Sequence, residues 1–84
     1  MNNFTAKIVG HNLRDLRQDY GFTQKAIADE LGISFQQVQK YETGQNKLPI
    51  ESLLLLKKFY NVPFEDFFVG NGCLLIREKL VLEI

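Results

Sequence analysis

The sequence has a single cysteine, Cys73, so no disulfide can close within the chain, and no cysteine–histidine pair or cluster suggests zinc or another metal. A lone thiol fits a reducing compartment, and the reading is a cytoplasmic protein. Excess charge is missing too. Ten basic and ten acidic residues give a formal net charge of zero, so attraction to a polyanion must come from a local arrangement of charge. Long apolar runs are absent: the longest in the first seventy residues is Leu53 to Leu56, far too short to span a bilayer. The opening "MNNFTAKIVGHN" lacks the continuous apolar stretch of a signal peptide. There is no internal repeat and no low-complexity segment. No nucleophile–base pair, metal cluster or phosphate loop appears, so no enzyme, cofactor or small-molecule ligand is expected.

What is present is an ordinary apolar fraction, 45%, in a chain long enough for one small domain. The pattern is helical and regularly punctuated. A first helix is expected from about Thr5 to Tyr20, with Ile8, Val9, Leu13 and Leu16 at helical spacing and Gly21 as its stop. Thr23 can cap a second helix carrying Ala26, Ile27 and Leu31 inward and ending at Gly32. Ser34 can cap a third, Phe35 to Thr43, closed by Gly44. Pro49 suits the first turn of a fourth helix running to Tyr60, with Leu53, Leu54, Leu56 and Phe59 as its apolar face. Asn61 ends it, and "VPFEDFF" reads as a short fifth helix starting near Pro63.

The closing "CLLIREKLVLEI" alternates. Leu74, Ile76, Leu80, Leu82 and Ile84 share one face, interrupted by Glu78, while the other face is mostly polar. Period two predicts a β-strand, preceded by a turn at Asn71 and Gly72; a sixth helix is the alternative. The bundle offers this strand no sheet, so pairing with the same strand of a second subunit is the expected use. The domain assignment follows: residues 1–70 form the helical domain and 71–84 a dimerisation tail.

The second helix, the turn at Gly32 and the third helix form the most informative unit. Crossed helices joined so tightly call for a positive φ that glycine adopts cheaply, and Ala28 is small enough for a close crossing. Ile27, Ile33, Val38 and Tyr41 make an inner face, leaving Phe35, Gln36, Gln39, Lys40 and Thr43 outside. A solvated helix face is usually charged; this one is rich in glutamine. The glutamine amide joins donors and an acceptor in one plane, which suits the N6/N7 edge of adenine, and Lys40 suits the O6/N7 edge of guanine. Lys25, Lys40 and Lys47 supply local positive charge on or near that side.

Residues Gln24 to Thr43, "QKAIADELGISFQQVQKYET", resemble the helix-turn-helix of the lambda-repressor and Cro-like (XRE-type) family. Ala28, Gly32, the apolar Ile27, Ile33, Val38 and Tyr41, and the "YETG" ending carry the likeness, which extends from about Ile8 to Phe68. It implies an all-α, five-helix DNA-binding domain, here followed by a C-terminal extension without counterpart in the family's common domain. It also implies a transcriptional regulator, a repressor by expectation, that binds double-stranded DNA at a two-fold operator as a homodimer. Gln24 resembles the family's glutamine that contacts a phosphate and braces the recognition helix. Phe35, Gln36, Gln39 and Lys40 fall where base edges are usually met, with Ser34 and Lys25 flanking. Thr43, Asn46 and Lys47 fall in the loop that grips the backbone. Phe35 departs from the commoner polar residue and suits either a thymine methyl or a neighbouring side chain.

Glu42 follows Val38 by one helical turn and points toward the core, where an unpaired carboxylate is costly. The resemblance gives it Arg17 as a structural partner. His11 reads as a surface or packing residue, Asp29 and Glu30 as a solvated face, and Cys73 as a small apolar residue. The alternative function is a protein-binding module, such as an antitoxin or adaptor, built on the same fold.

Overall fold

The computed structural model describes residues 3–68. Four α-helices follow one another: α1 Asn3–Asp19, α2 Gln24–Leu31, α3 Phe35–Glu42 and α4 Ile50–Tyr60, then a single 3-10 turn over Phe64–Phe67. The expected fifth helix is therefore that 3-10 turn. Pro63 fixes its start, and the chain from there has only four residues before Phe68 breaks the pattern, too few to complete and extend α-helical hydrogen bonding. The strand expected in the tail, with Cys73 and the dimerisation residues Leu74, Ile76, Leu80, Leu82 and Ile84, lies outside the described residues.

Local chemistry sets the helix ends. The Thr23 hydroxyl oxygen accepts from Ala26 N (3.0 Å) and the Ser34 hydroxyl oxygen from Gln37 N (3.2 Å), each satisfying a free first-turn amide. Gly32 ends α2 at φ 69°, ψ 34°, and its N–H returns to Ala28 O and Asp29 O. A Cβ there would meet nothing. Conformation, not space, demands glycine. α1 begins earlier than its apolar periodicity indicates, at Asn3, and Pro49 stands just before α4 as its cap.

Leu13, Ile27, Val38, Leu56 and Phe67 are fully buried, and Ala28, Tyr41, Leu53, Tyr60 and Val62 complete the core. Each large side chain so buried contributes about 1.5–3 kcal/mol. α1 packs against α3 and the 3-10 turn, and α2 against α3 and α4. Asn12, almost completely buried on α1, donates from Nδ2 to Phe67 O (2.9 Å) and ties the turn to the bundle. On α4 the inner face is Leu53, Leu56 and Tyr60; Leu54 and Phe59, expected inside, are exposed. A leucine run has no polar contrast to orient it, so tertiary packing chooses which members turn in. Phe59 instead lies beside Phe22, ring centroids 5.1 Å apart.

Candidate nucleic-acid interface

α3 presents opposite faces to opposite surroundings. Val38, Tyr41 and Glu42 are buried, whereas Phe35, Gln36, Gln39, Lys40 and Thr43 are exposed. An open cleft of about 560 Å³ runs along the outer side, lined by Arg14 and Arg17 of α1, Gln24 of α2, and Gln36, Gln39, Lys40, Glu42, Thr43 and Gln45. Its carboxylate is already engaged. Arg17 Nε donates to Glu42 Oε2 (2.7 Å), and Arg17 Nη2 donates to Oε1 (3.2 Å). Arg17 Nη1 donates to Phe22 O (3.0 Å), so the guanidinium also pins the α1–α2 connection.

From this ion pair a chain of amides leads outward. Gln24 Nε2 donates to Glu42 Oε1 (3.1 Å), and Gln39 Nε2 donates to Gln24 Oε1 (3.2 Å). The loop after α3 is held separately: Gln37 Nε2 donates to Asn46 Oδ1 (3.1 Å), whose own Nδ2 donates to Gln45 O. The Thr43 hydroxyl donates to Gln39 O (3.0 Å), leaving its oxygen to accept from outside. Lys25 lies 3.5 Å from Asp29, an exposed pair one helical turn apart that offsets its charge. Lys40 and Lys47 are exposed, as is Phe35 at the start of α3. Off this side, His11 lies 3.4 Å from Asp15 on the surface of α1, and Asp29 and Glu30 are both exposed.

Sequence reasoning missed Arg14, Gln37 and Gln45. Arg14 stands one helical turn before Arg17, so the two share a face of α1, and that spacing was the available signal. Gln37 resembles its glutamine neighbours in type; only its position, rotated toward the loop, separates a bracing role from a reading one.

The helix-turn-helix family model HTH_3 matches residues 13–67, which span α2, α3 and their turn. This chain belongs to that family. Among similar proteins of the helix-turn-helix group is an uncharacterized HTH-type transcriptional regulator of Sinorhizobium medicae, 40% identical over 60 residues, covering 71% of this chain and 43% of that protein. An uncharacterized transcriptional regulator in the ATPase CF(0) region of Rhodospirillum rubrum is 38% identical over 60 residues, 71% of this chain and 56% of its own. The chain thus spans about half the length of these helix-turn-helix relatives or less. Its fold is similar to the restriction-modification controller protein C.AhdI from Aeromonas hydrophila, with TM-score 0.67 and 25% identity, covering 75% of this chain and 96% of that one.

Proposed function

We propose that this chain is a sequence-specific DNA-binding regulator of transcription, with α3 entering the major groove and two copies meeting a two-fold operator. The observation that carries this reading is the composition of the outer α3 face. Gln36, Gln39 and Lys40 are exposed beside Arg14, while Glu42, the one carboxylate among the described residues that line the cleft, is turned inward onto Arg17. A chain of zero net charge can therefore still offer a locally basic, amide-rich edge to a duplex. Gln36, Gln39 and Lys40 are assigned to base edges, with Phe35 against a thymine methyl or a neighbouring side chain. Gln24, Lys25, Ser34, Thr43, Asn46 and Lys47 are assigned to the backbone or to holding the loop that meets it. Phosphate contacts per subunit are few, so a single copy binds weakly and pairing matters. Repression is the regulatory mode this reading favours.

An apolar surface supports the pairing. Ile50, Leu54, Phe64 and Phe68 are exposed, more large apolar side chains than a solvated face needs. Ile50 and Phe68 border a groove of about 160 Å³, lined also by Ala6, Val9, Leu48 and Leu53 among others. The same surface is what a protein-binding module would use.

Selection of bound sequences from a random duplex pool separates the two. A regulator enriches a two-fold site; an adaptor enriches none. With the site in hand, Gln36→Ala and Lys40→Ala are each expected to lose about 1–3 kcal/mol of discrimination between preferred and altered sites. Lys47→Ala should weaken all sequences evenly and flatten the salt dependence. Equal losses on specific and random DNA for the first two substitutions would sink the base-reading assignment.

A further inference from the structure

We infer that Glu42, acting through Gln24, fixes which way round the Gln39 amide is presented, and so sets the base preference of that residue. This rests on the reading of α3 as the base-reading helix. The argument is one of donor and acceptor counting. A carboxylate bound by arginine offers acceptors only. Glu42 Oε1 and Oε2 both face Arg17, and Oε1 also receives Gln24 Nε2 at 3.1 Å. Reversing the Gln24 amide would set its carbonyl oxygen against a carboxylate whose side chain is 3% exposed, two acceptors facing each other with no proton between them. Gln24 is thereby locked with Oε1 toward α3. That oxygen can only accept, so Gln39 must turn its Nε2 inward, where it lies 3.2 Å away.

One N–H of Gln39 is consumed by this brace. What remains outward on the exposed side is the carbonyl oxygen together with the second N–H. Such an edge accepts from an exocyclic amine, as adenine N6 or cytosine N4 provides, and the adjoining N–H can meet adenine N7. In the register that sets Gln39 Oε1 opposite the exocyclic amine, guanine O6 or thymine O4 at the same place would meet the fixed oxygen, acceptor against acceptor. An unbraced glutamine can rotate its amide and tolerate either. Phe35, at the helix start, has no polar side-chain atom; the α3 side chain that meets Gln24 is Gln39. Gln24 and Glu42 are in this sense positioning residues for base choice.

The test uses the full chain and its selected site. Gln39→Ala first identifies the base pair whose choice it relaxes. Gln24→Met keeps side-chain length without the amide, and is expected to lose about 5-fold or more of the discrimination for an amine-bearing base at that same pair. Discrimination at the pairs governed by Gln36 and Lys40 should stay within about 2-fold of wild type. A Gln24 that acts on phosphate alone would instead weaken every sequence evenly and lower the salt slope. In the free protein, the Gln39 side-chain amide resonances should shift in Gln24→Met while core methyl resonances hold, which separates release of the brace from loss of fold. Wild-type discrimination at that pair in folded Gln24→Met overturns the inference and leaves the DNA-binding reading standing. A wild-type chain that selects no sequence overturns both.

Discussion

The Arg17 guanidinium clasps both carboxylate oxygens of Glu42, at 2.7 Å and 3.2 Å, and so joins α1 to the inner side of α3. Side-chain exposures of 12% for Arg17 and 3% for Glu42 put the pair largely out of water. In such surroundings, removing one partner costs more than the pair is worth, because the other charge stays behind without compensation. Arg17→Ala and Glu42→Ala are each expected to lose about 3–5 kcal/mol of stability, a large share of what a small domain possesses. Urea melts of both single variants and the double variant measure it. The double variant should lose clearly less than the sum, with a coupling of about 0.5–3 kcal/mol. Strict additivity would mean that the two residues do not meet in solution.

Gly10 sets how closely those same helices approach. A Cβ at this position would collide with the Tyr41 carbonyl oxygen and lie 2.8 Å from the Glu42 carbonyl oxygen. Both obstacles are backbone, which cannot swing aside. Alanine is the better helix former by about 1 kcal/mol, so an open site would gain from Gly10→Ala. Here the expected result is the opposite: a net loss of about 1–3 kcal/mol in urea melts, from overpacking at the crossing. A stabilised Gly10→Ala variant would show that α1 and α3 do not pack this tightly.

The contrast between these two features marks how far the sequence could be read. Ends of α2 and α3 were legible because Thr23, Gly32 and Ser34 act within a turn of themselves, and local chemistry is written in local order. The Arg17–Glu42 partnership spans 25 positions, so no spacing rule points to it and only family resemblance did. Gly10 sits inside a helical pattern, where a glycine is costly unless something needs the room, and that cost was a clue left unused. On α4 the four consecutive leucine-type positions gave no contrast, and Tyr60, with its polar tip, turned inward in place of Leu54. The glutamine face of α3 was visible from periodicity; the amide chain behind it, which makes Gln24 and Gln39 unequal to Gln36, depends on Arg17, Gln24 and Glu42 brought together from three helices.

Tyr60 itself carries a buried hydroxyl with no hydrogen-bond partner among the described residues. Its ring packs against Tyr20, centroids 4.9 Å apart, so the aromatic body contributes while the oxygen does not. Tyr60→Phe should leave stability unchanged or raise it by up to about 1 kcal/mol, since a buried polar group without a partner is a cost. Burial pushes the phenol well above its ordinary value near 10.0, with Arg17 pulling the other way. A group whose folded pKa is raised stabilises fully below its unfolded pKa and loses that contribution as pH climbs past it. Wild-type stability should therefore fall above about pH 10, and Tyr60→Phe should fall less steeply. A marked loss of stability in Tyr60→Phe at neutral pH would mean that the hydroxyl has a partner.

The proposal that the tail makes the dimer gives the last prediction. Leu74, Ile76, Leu80, Leu82 and Ile84 recur at alternate positions apart from the break at Glu78, and an apolar row of that kind is unfavourable in water unless something covers it. On the helical domain, Ile50, Leu54, Phe64 and Phe68 are exposed, and Ile50 and Phe68 line one groove. Antiparallel pairing of two tails about a two-fold axis would satisfy the backbone edge and bring each apolar row over a helical domain. It would also fix the two α3 helices relative to each other, and successive major grooves on one side of B-DNA require about 34–36 Å. A truncation after Gly70 removes the row and retains residues 13–67, the whole helix-turn-helix match. Sedimentation should find the truncated chain folded and monomeric at concentrations where the full chain is dimeric. Its operator affinity should drop by orders of magnitude, because each half-site must then be held by one subunit's few phosphate contacts. A truncated chain that remains dimeric at the same concentration rules the tail out and moves the interface to the helical domain.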